Sequence, residues 1–162
     1  MNAQPQKLFE YLDFLDIHHA TYHHAPVFTC ADELGIEIPP AATKNLFLKD
    51  DKNQLWLISA LQTTKIDLKA TSKMLDAKGL RFAKPELLRE YLGVEPGSVT
   101  MFALINDVGK KVFPVLDQRI LDNLEVSFHP LKNDATSVVT SQDLLKFITS
   151  LGYQYRVLNF SA

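Results

Sequence analysis

The segment from Asn45 to Leu61, NLFLKDDKNQLWLISAL, does more than any other to limit what this chain can fold into. Leu46 and Leu48 alternate on one face, KDDKN supplies a turn, and QLWLISAL is apolar enough to be a central strand covered on both sides. Such a strand needs neighbours in its sheet and helices packed over it. The hairpin is preceded by Lys44 and begins with Asn45, a cation and an amide at the mouth of a strand about to enter the core.

The flanking segments supply the neighbours. Leu8, Tyr11, Leu12 and Leu15 recur at helical spacing, and ATYHHAPVF reads as extended up to Pro26. Thr29 with Asp32 resembles a capping box for a short helix through Leu34 closed by Gly35, and IEIPPAA is a loop. KATSKMLDAKG predicts a helix capped by Gly79, LRFA a short strand, and KPELLREYLG a helix entered at Pro85 and closed by Gly93. VEPGSVT is a loop feeding a predicted strand, MFALIN; DVGKK turns the chain into VFPVLD, and QRILDN is a helical turn. LEVSFHPL and TSVVT read as paired strands around KND, followed by a helix over SQDLLKFITSLG with Thr140 or Ser141 as its N-cap. YQYRVLNF is the final strand. Strands outnumber helices and several are joined by hairpin-length turns, which predicts an α+β domain. Its sheet is expected to be mixed and largely antiparallel, with helices packed against it.

Composition limits the partners. At 162 residues the chain reads as one domain, and an apolar share of 46% is sufficient for a core. Seventeen basic and nineteen acidic residues leave a net charge of −2, which does not favour coating DNA by charge alone but leaves room for a local basic patch. Cys30 is the one cysteine, so no internal disulfide forms. No signal-peptide pattern and no apolar run of membrane-spanning length is present, and a soluble, cytoplasmic protein with no membrane partner is expected.

Familiar catalytic signatures are missing: there is no phosphate-binding Gly-rich loop, no G-x-S-x-G and no H-E-x-x-H. Cys30 has no local base and reads as packing. The doublets His18-His19 and His23-His24 invite a metal. Adjacent residues on an extended segment point to opposite faces, however, so solvated or hydrogen-bonded rings are the better reading. Three places remain. The Lys44 ammonium can hold a phosphate or carboxylate, act as a base if desolvation favours its neutral form, or stand as a solvated strand-end cation. Gly97, in EPGSVT, lets a loop expose backbone N–H groups to a carbonyl or oxyanion, or simply makes a turn. His129, before Pro130, can orient a ligand hydroxyl or be an ordinary sheet residue. Together they suggest a pocket for a small polar group rather than a nucleophile–base triad.

Four stretches then match one family in order: HHAPVFTCADEL, TKNLFLKD, LGVEPGSVTMFALIND and VSFHPLKNDATSVVTSQDLLKFI. They resemble the YbaK/ProX-type aminoacyl-tRNA deacylases, freestanding relatives of the editing domain of bacterial prolyl-tRNA synthetases. The likeness runs from about Leu8 to Val157 and is nearest to the ProX branch, whose members remove alanine from the proline tRNA. The resemblance implies a barrel-like α+β fold, a mischarged tRNA as substrate, prolyl-tRNA synthetase as a further partner and no metal or organic cofactor. The oligomeric state stays open between monomer and homodimer.

Residue by residue, Lys44 falls on the family's essential lysine with Asn45 beside it, Gly97-Ser98-Val99-Thr100 on its substrate loop, and His129 on the histidine of its H-P strand. The resemblance gives Lys44, Asn45, Gly97 and His129 catalytic roles, with Val27, Phe28 and Thr29 as pocket walls and Lys49, Arg81 and Lys84 as a basic rim for tRNA. The family loop ends in proline where this chain has Met101, a substitution expected to loosen the loop or reshape the pocket for another amino acid. The readings are therefore a deacylase for alanyl-tRNA(Pro), the same reaction on a cysteinyl, seryl or other small-residue tRNA, and a silent module that binds a tRNA end or another partner.

Overall fold

The computed structural model describes residues 4–24 and 41–160. Val27, Phe28, Thr29, Cys30, the short helix expected from Thr29 and most of the loop IEIPPAA lie outside them. The chain opens with α1 (Pro5–Phe14) and β1 (Ala20–His23), then forms the hairpin β2 (Thr43–Lys49) and β3 (Leu55–Leu61). There follow α2 (Leu68–Leu75), β4 (Arg81–Phe82), α3 (Pro85–Leu92), β5 (Val112–Asp117) and α4 (Gln118–Leu121). The strands β6 (Glu125–Phe128) and β7 (Ala135–Thr140), the helix α5 (Ser141–Ser150) and β8 (Arg156–Leu158) complete it.

Two sheets result. One has the order β1-β7-β6 and is antiparallel throughout; the other has the order β4-β2-β3-β5-β8. In the larger sheet β2 pairs antiparallel with β3 and β4, whereas β3–β5 and β5–β8 are parallel. β3 lies at its centre and is buried from Leu55 through Ala60, as the unbroken apolar run requires. Phe47, Leu55, Leu57 and Leu116 face the main core, shared with Phe102, Phe128 and Phe147. Leu48, Trp56, Ile58 and Val115 face a second cluster completed by Leu75, Ala77 and Leu80, with Leu68 and Met74 of α2 packed against it.

Buried aspartates close the turns between these layers. Asp50 takes the N–H groups of Lys52 and Gln54 at 2.9 and 3.0 Å and the Trp56 indole N–H at 3.1 Å, pinning the hairpin turn to its second strand. Asp107 accepts from the Lys111 and Val112 N–H groups and from the Tyr153 hydroxyl at 2.7 Å. Burial, reinforced by that bond to Asp107, pushes the Tyr153 phenol well above its ordinary range and keeps it a neutral donor. Asp117 accepts from Thr64 Oγ1 at 2.6 Å and caps α4 through the Arg119 N–H.

Three sequence expectations change. MFALIN is a 3-10 helix, Met101–Asn106, capped by Thr100, rather than a strand. A short, wholly apolar run has no period by which to tell the two apart. The helix over KATSKMLDAKG ends at Leu75 on a left-handed Asp76, with Gly79 lying in the turn beyond it. The final strand shortens to Arg156–Leu158. The other caps stand where expected: Pro85 and Gly93 bound α3, and Thr140 Oγ1 accepts from the Asp143 N–H at the start of α5. Thr140→Ala should therefore lower stability by about 1 kcal/mol. A urea titration should show an earlier midpoint at unchanged slope, and an unmoved midpoint would show that the cap contributes nothing.

Candidate active site

The two sheets meet at the mouth of β2. Ala42 and Ser127 form a parallel bridge, the Ser127 N–H donates to the Ala41 carbonyl at 3.2 Å, and Thr43 Oγ1 donates to the Ser127 carbonyl at 2.6 Å. Because the strands run parallel there, Lys44 and His129 each lie two residues beyond the bridge in the same direction. The seam thus places the lysine–asparagine pair and the histidine at one end of the molecule.

Lys44 and Asn45 leave β2 on opposite faces. Lys44 alternates with Leu46 and Leu48 toward the second cluster; Asn45 shares the face of Phe47, toward the main core. Ser59 Oγ, across the ladder, donates to Asn45 Oδ1. That bond occupies the amide oxygen and leaves the Asn45 NH₂ group to donate elsewhere. β4 pairs with β2 only at Leu48 and Lys49. Among the described residues, the β2 edge beside Lys44 and Asn45 therefore has no strand partner, and a ligand lying along it can meet both side chains.

His129 is oriented by its own hairpin. Its Nδ1 lies 3.0 Å from the Ala135 carbonyl, which can only accept, so the neutral ring carries its proton on Nδ1 and keeps a lone pair on Nε2. His24, a residue sequence reasoning set aside with its doublet, stands beside it: the ring centroids are 6.4 Å apart, and His24 Nε2 lies 2.8 Å from Thr136 Oγ1. The β1–β7 pairing brings it there, a long-range contact with no local signature. The other histidines follow the bland reading where the structure describes their surroundings: His23 is exposed, and His19 bonds Asp13 and stacks on Phe9. The described residues contain no cluster of three or more His, Cys, Asp or Glu able to hold a metal.

Gly97 lies against the loop of the same hairpin. It lies in a 3-10 turn, Pro96–Ser98, and lines an open cleft of about 620 Å³ with Glu95, Ser98, Leu131, Lys132 and Asn133. Leu131 to Asn133, just beyond His129, are the hairpin residues that line this cleft; Lys44, Asn45 and His129 are not among its walls. Charges at the cleft are already matched. Arg89 bonds Glu95 at 2.8 Å and holds its carboxyl below the usual range, and Lys132 pairs with Asp134 at 3.5 Å.

The rest of the loop, from Ser98 to Thr100, turns inward. The Ser98 N–H is already bonded to the Glu95 carbonyl at 2.8 Å, Val99 packs on the core, and Thr100 Oγ1 accepts from the Phe102 N–H. Met101 is fully buried in the main core as the first residue of the 3-10 helix. A first helical position is where proline is also well suited, so methionine can stand there without breaking the element. Its burial sets it at the root of the loop rather than at the cleft mouth. Of the expected tRNA rim, Lys49 and Arg81 are register partners on the face opposite Lys44. Arg81 is tied to Asp51 at 2.9 Å and to the Gly79 carbonyl, and Lys84 sits at the N-cap of α3.

Fold and site together define an α+β domain in which Lys44, Asn45 and His129 come to a seam between two sheets, with an open cleft lined by Gly97 along the hairpin that follows His129. Residues 24–147 match the aminoacyl-tRNA editing domain. The chain belongs to that family. It is 33% identical over 156 residues to the "Prolyl-tRNA editing protein ProX" of Acetoanaerobium sticklandii, covering 94% of this chain and 95% of that one. It is 36% identical over 162 residues to the "Prolyl-tRNA synthetase associated domain-containing protein 1" of Xenopus laevis, covering 96% of each. A solved structure described as a candidate trans-editing enzyme for prolyl tRNA synthetase superposes with a TM-score of 0.71 at 21% identity, over 98% of both chains, and establishes likeness of fold.

The His129 geometry gives a direct check. Nitrogen-15 NMR of the neutral ring should show Nδ1 protonated and Nε2 bare. The opposite tautomer would rule out the bond to Ala135 and free the ring from its hairpin.

Proposed function

We propose that this protein is a trans-editing deacylase that hydrolyses mischarged proline tRNA, with alanyl-tRNA(Pro) as its substrate. The observation that carries the reading is the seam. In a chain of the editing family, the residues matching that family's lysine, asparagine and histidine come to one end of two joined sheets. Charged tRNA is met in the cytoplasm, where we place the protein.

The reaction needs a held adenosine end, a polarised ester carbonyl and a water molecule. Lys44 anchors the terminal phosphate–ribose portion as a cation. The Asn45 amide, its oxygen already engaged by Ser59, donates to the substrate. His129, fixed through Nδ1, offers Nε2 to a ribose hydroxyl. Backbone N–H groups about Gly97 receive the carbonyl oxygen; since Ser98 has spent its own on Glu95, that work falls to its neighbours. Water adds to the carbonyl carbon, the bond to the ribose oxygen breaks, and the products are a free amino acid and a tRNA hydroxyl. No covalent enzyme intermediate is required.

Alanine is favoured over proline by size, since a pocket fitted to a methyl side chain excludes the larger ring. The alternative of a silent binding module rested on Met101. With that residue in the core, the substitution bears on loop packing rather than on groups that meet the ester. Prolyl-tRNA synthetase is a natural partner, because the enzyme that makes the error releases this substrate.

Deacylation of alanyl-tRNA(Pro), with cysteinyl, seryl and prolyl forms beside it, tests the reading. The wild type should release alanine and spare proline, and Lys44→Ala should lose at least about a hundredfold in rate. Turnover of another misacylated form alone would move the specificity. No turnover of any would overturn the reading.

A further inference from the structure

The β2 alternation that sends Lys44 toward the second cluster sends Leu46 and Leu48 there too. Phe82, on the edge strand β4, is the register partner of Leu48 and so shares that face, yet its side chain is 62% exposed. Lys44 and the Leu48–Phe82 pair are four residues apart along β2, about 13 Å at the rise of an extended strand. An exposed aromatic ring on what is, among the described residues, an edge strand, in line with a cation, is a surface on which an unpaired base can stack.

The same face carries α2, which packs through Leu68, Met74 and Leu75. The helix and the turn after it line an open hollow of about 420 Å³, with Lys69, Ser72, Lys73 and Lys78 around Leu68 and Leu80. None of these lysines has an ion-pair partner among the described residues. The nearby Asp51 is occupied by Arg81, and Asp67 accepts the first N–H groups of α2. From Lys65 to Lys78 the chain holds four basic residues against two acidic ones, Asp67 and Asp76, in a protein whose net charge is −2. Lys69, Lys73 and Lys78 thus form a local excess of positive charge without ion pairs among the described residues, on and just after a helix packed over the face of Lys44.

Resting on the deacylase reading, we propose that this face is the track along which the tRNA acceptor end reaches the seam. Phe82 stacks on an unpaired base upstream of the terminal adenosine, and Lys69, Lys73 and Lys78 hold backbone phosphates. The cleft beside Gly97 has its charges paired and suits the neutral ester; the α2 face has its charges unpaired and suits a polyanion. Stacking is tolerant of sequence, so this surface supplies affinity and register, not discrimination among amino acids.

The test titrates uncharged tRNA(Pro) into full-length protein at several salt concentrations, and in parallel measures deacylation of mischarged tRNA and of alanyl-adenosine. The triple Lys69→Gln, Lys73→Gln, Lys78→Gln variant should lower the slope of log affinity against log salt by about two to three. It should raise KM for tRNA at least tenfold while leaving hydrolysis of alanyl-adenosine unchanged. Phe82→Ala should raise KM for tRNA with kcat retained, and Phe82→Trp should restore it. A salt slope and KM unchanged in both variants, with an active wild type, would overturn the track and leave the deacylase reading standing. If the wild type deacylates nothing, that reading falls separately. The binding titration then decides alone: a lysine-dependent slope supports the track, and an unchanged one overturns it.

Discussion

The structure depends on a short parallel contact: the Ser127 peptide held between the Ala41 carbonyl and the Thr43 hydroxyl. A shared apolar core alone would fix the separation of the two sheets without fixing their register. Those two bonds set the register. They decide that the residues after Ala42 and those after Ser127 emerge side by side, and so bring a strand-end lysine and a hairpin histidine, distant in sequence, to the same seam. The turn aspartates play the same part elsewhere. Asp50, Asp107 and Asp117 are buried, and each spends its carboxylate on N–H or O–H donors that would otherwise be stranded at a chain reversal.

Charge is distributed according to task. Around the Gly97 cleft, Glu95 is matched by Arg89 and Lys132 by Asp134, leaving polar but balanced walls. Along α2 and its following turn, the lysines stand without carboxylate partners among the described residues. A protein with almost no net charge can in this way present a polyanion with a basic face and a reacting carbonyl with a neutral one.

Much of this was legible in the sequence because it was local. The hairpin, the Pro85 and Gly93 limits of α3, and the Thr140 cap follow from patterns a few residues long. The doubled burial of β3 followed from an unbroken apolar run. MFALIN was misread because a short buried run looks the same as a strand or as a 3-10 helix until its Thr100 cap is recognised. Lys44, Asn45, Gly97 and His129 were visible as residue types. That Lys44 and Asn45 face opposite sides of β2 was also there to be read in strand alternation. The place of His24 beside His129, and the seam itself, were not: both arise from pairings that join segments about a hundred residues apart, on which periodicity is silent.

The most direct test of the seam as the reactive groove uses a ligand that cannot be cleaved. An amide-linked 3′-alanylamino-adenosine would be titrated into nitrogen-15-labelled protein while backbone amide shifts are followed. The expected result is saturable movement at Lys44, Asn45 and His129 on one side and at Gly97 on the other, with the far ends of β3 and β5 unmoved. Saturable binding that leaves Lys44 and His129 unchanged, with shifts confined to another surface, would contradict the assignment of the groove.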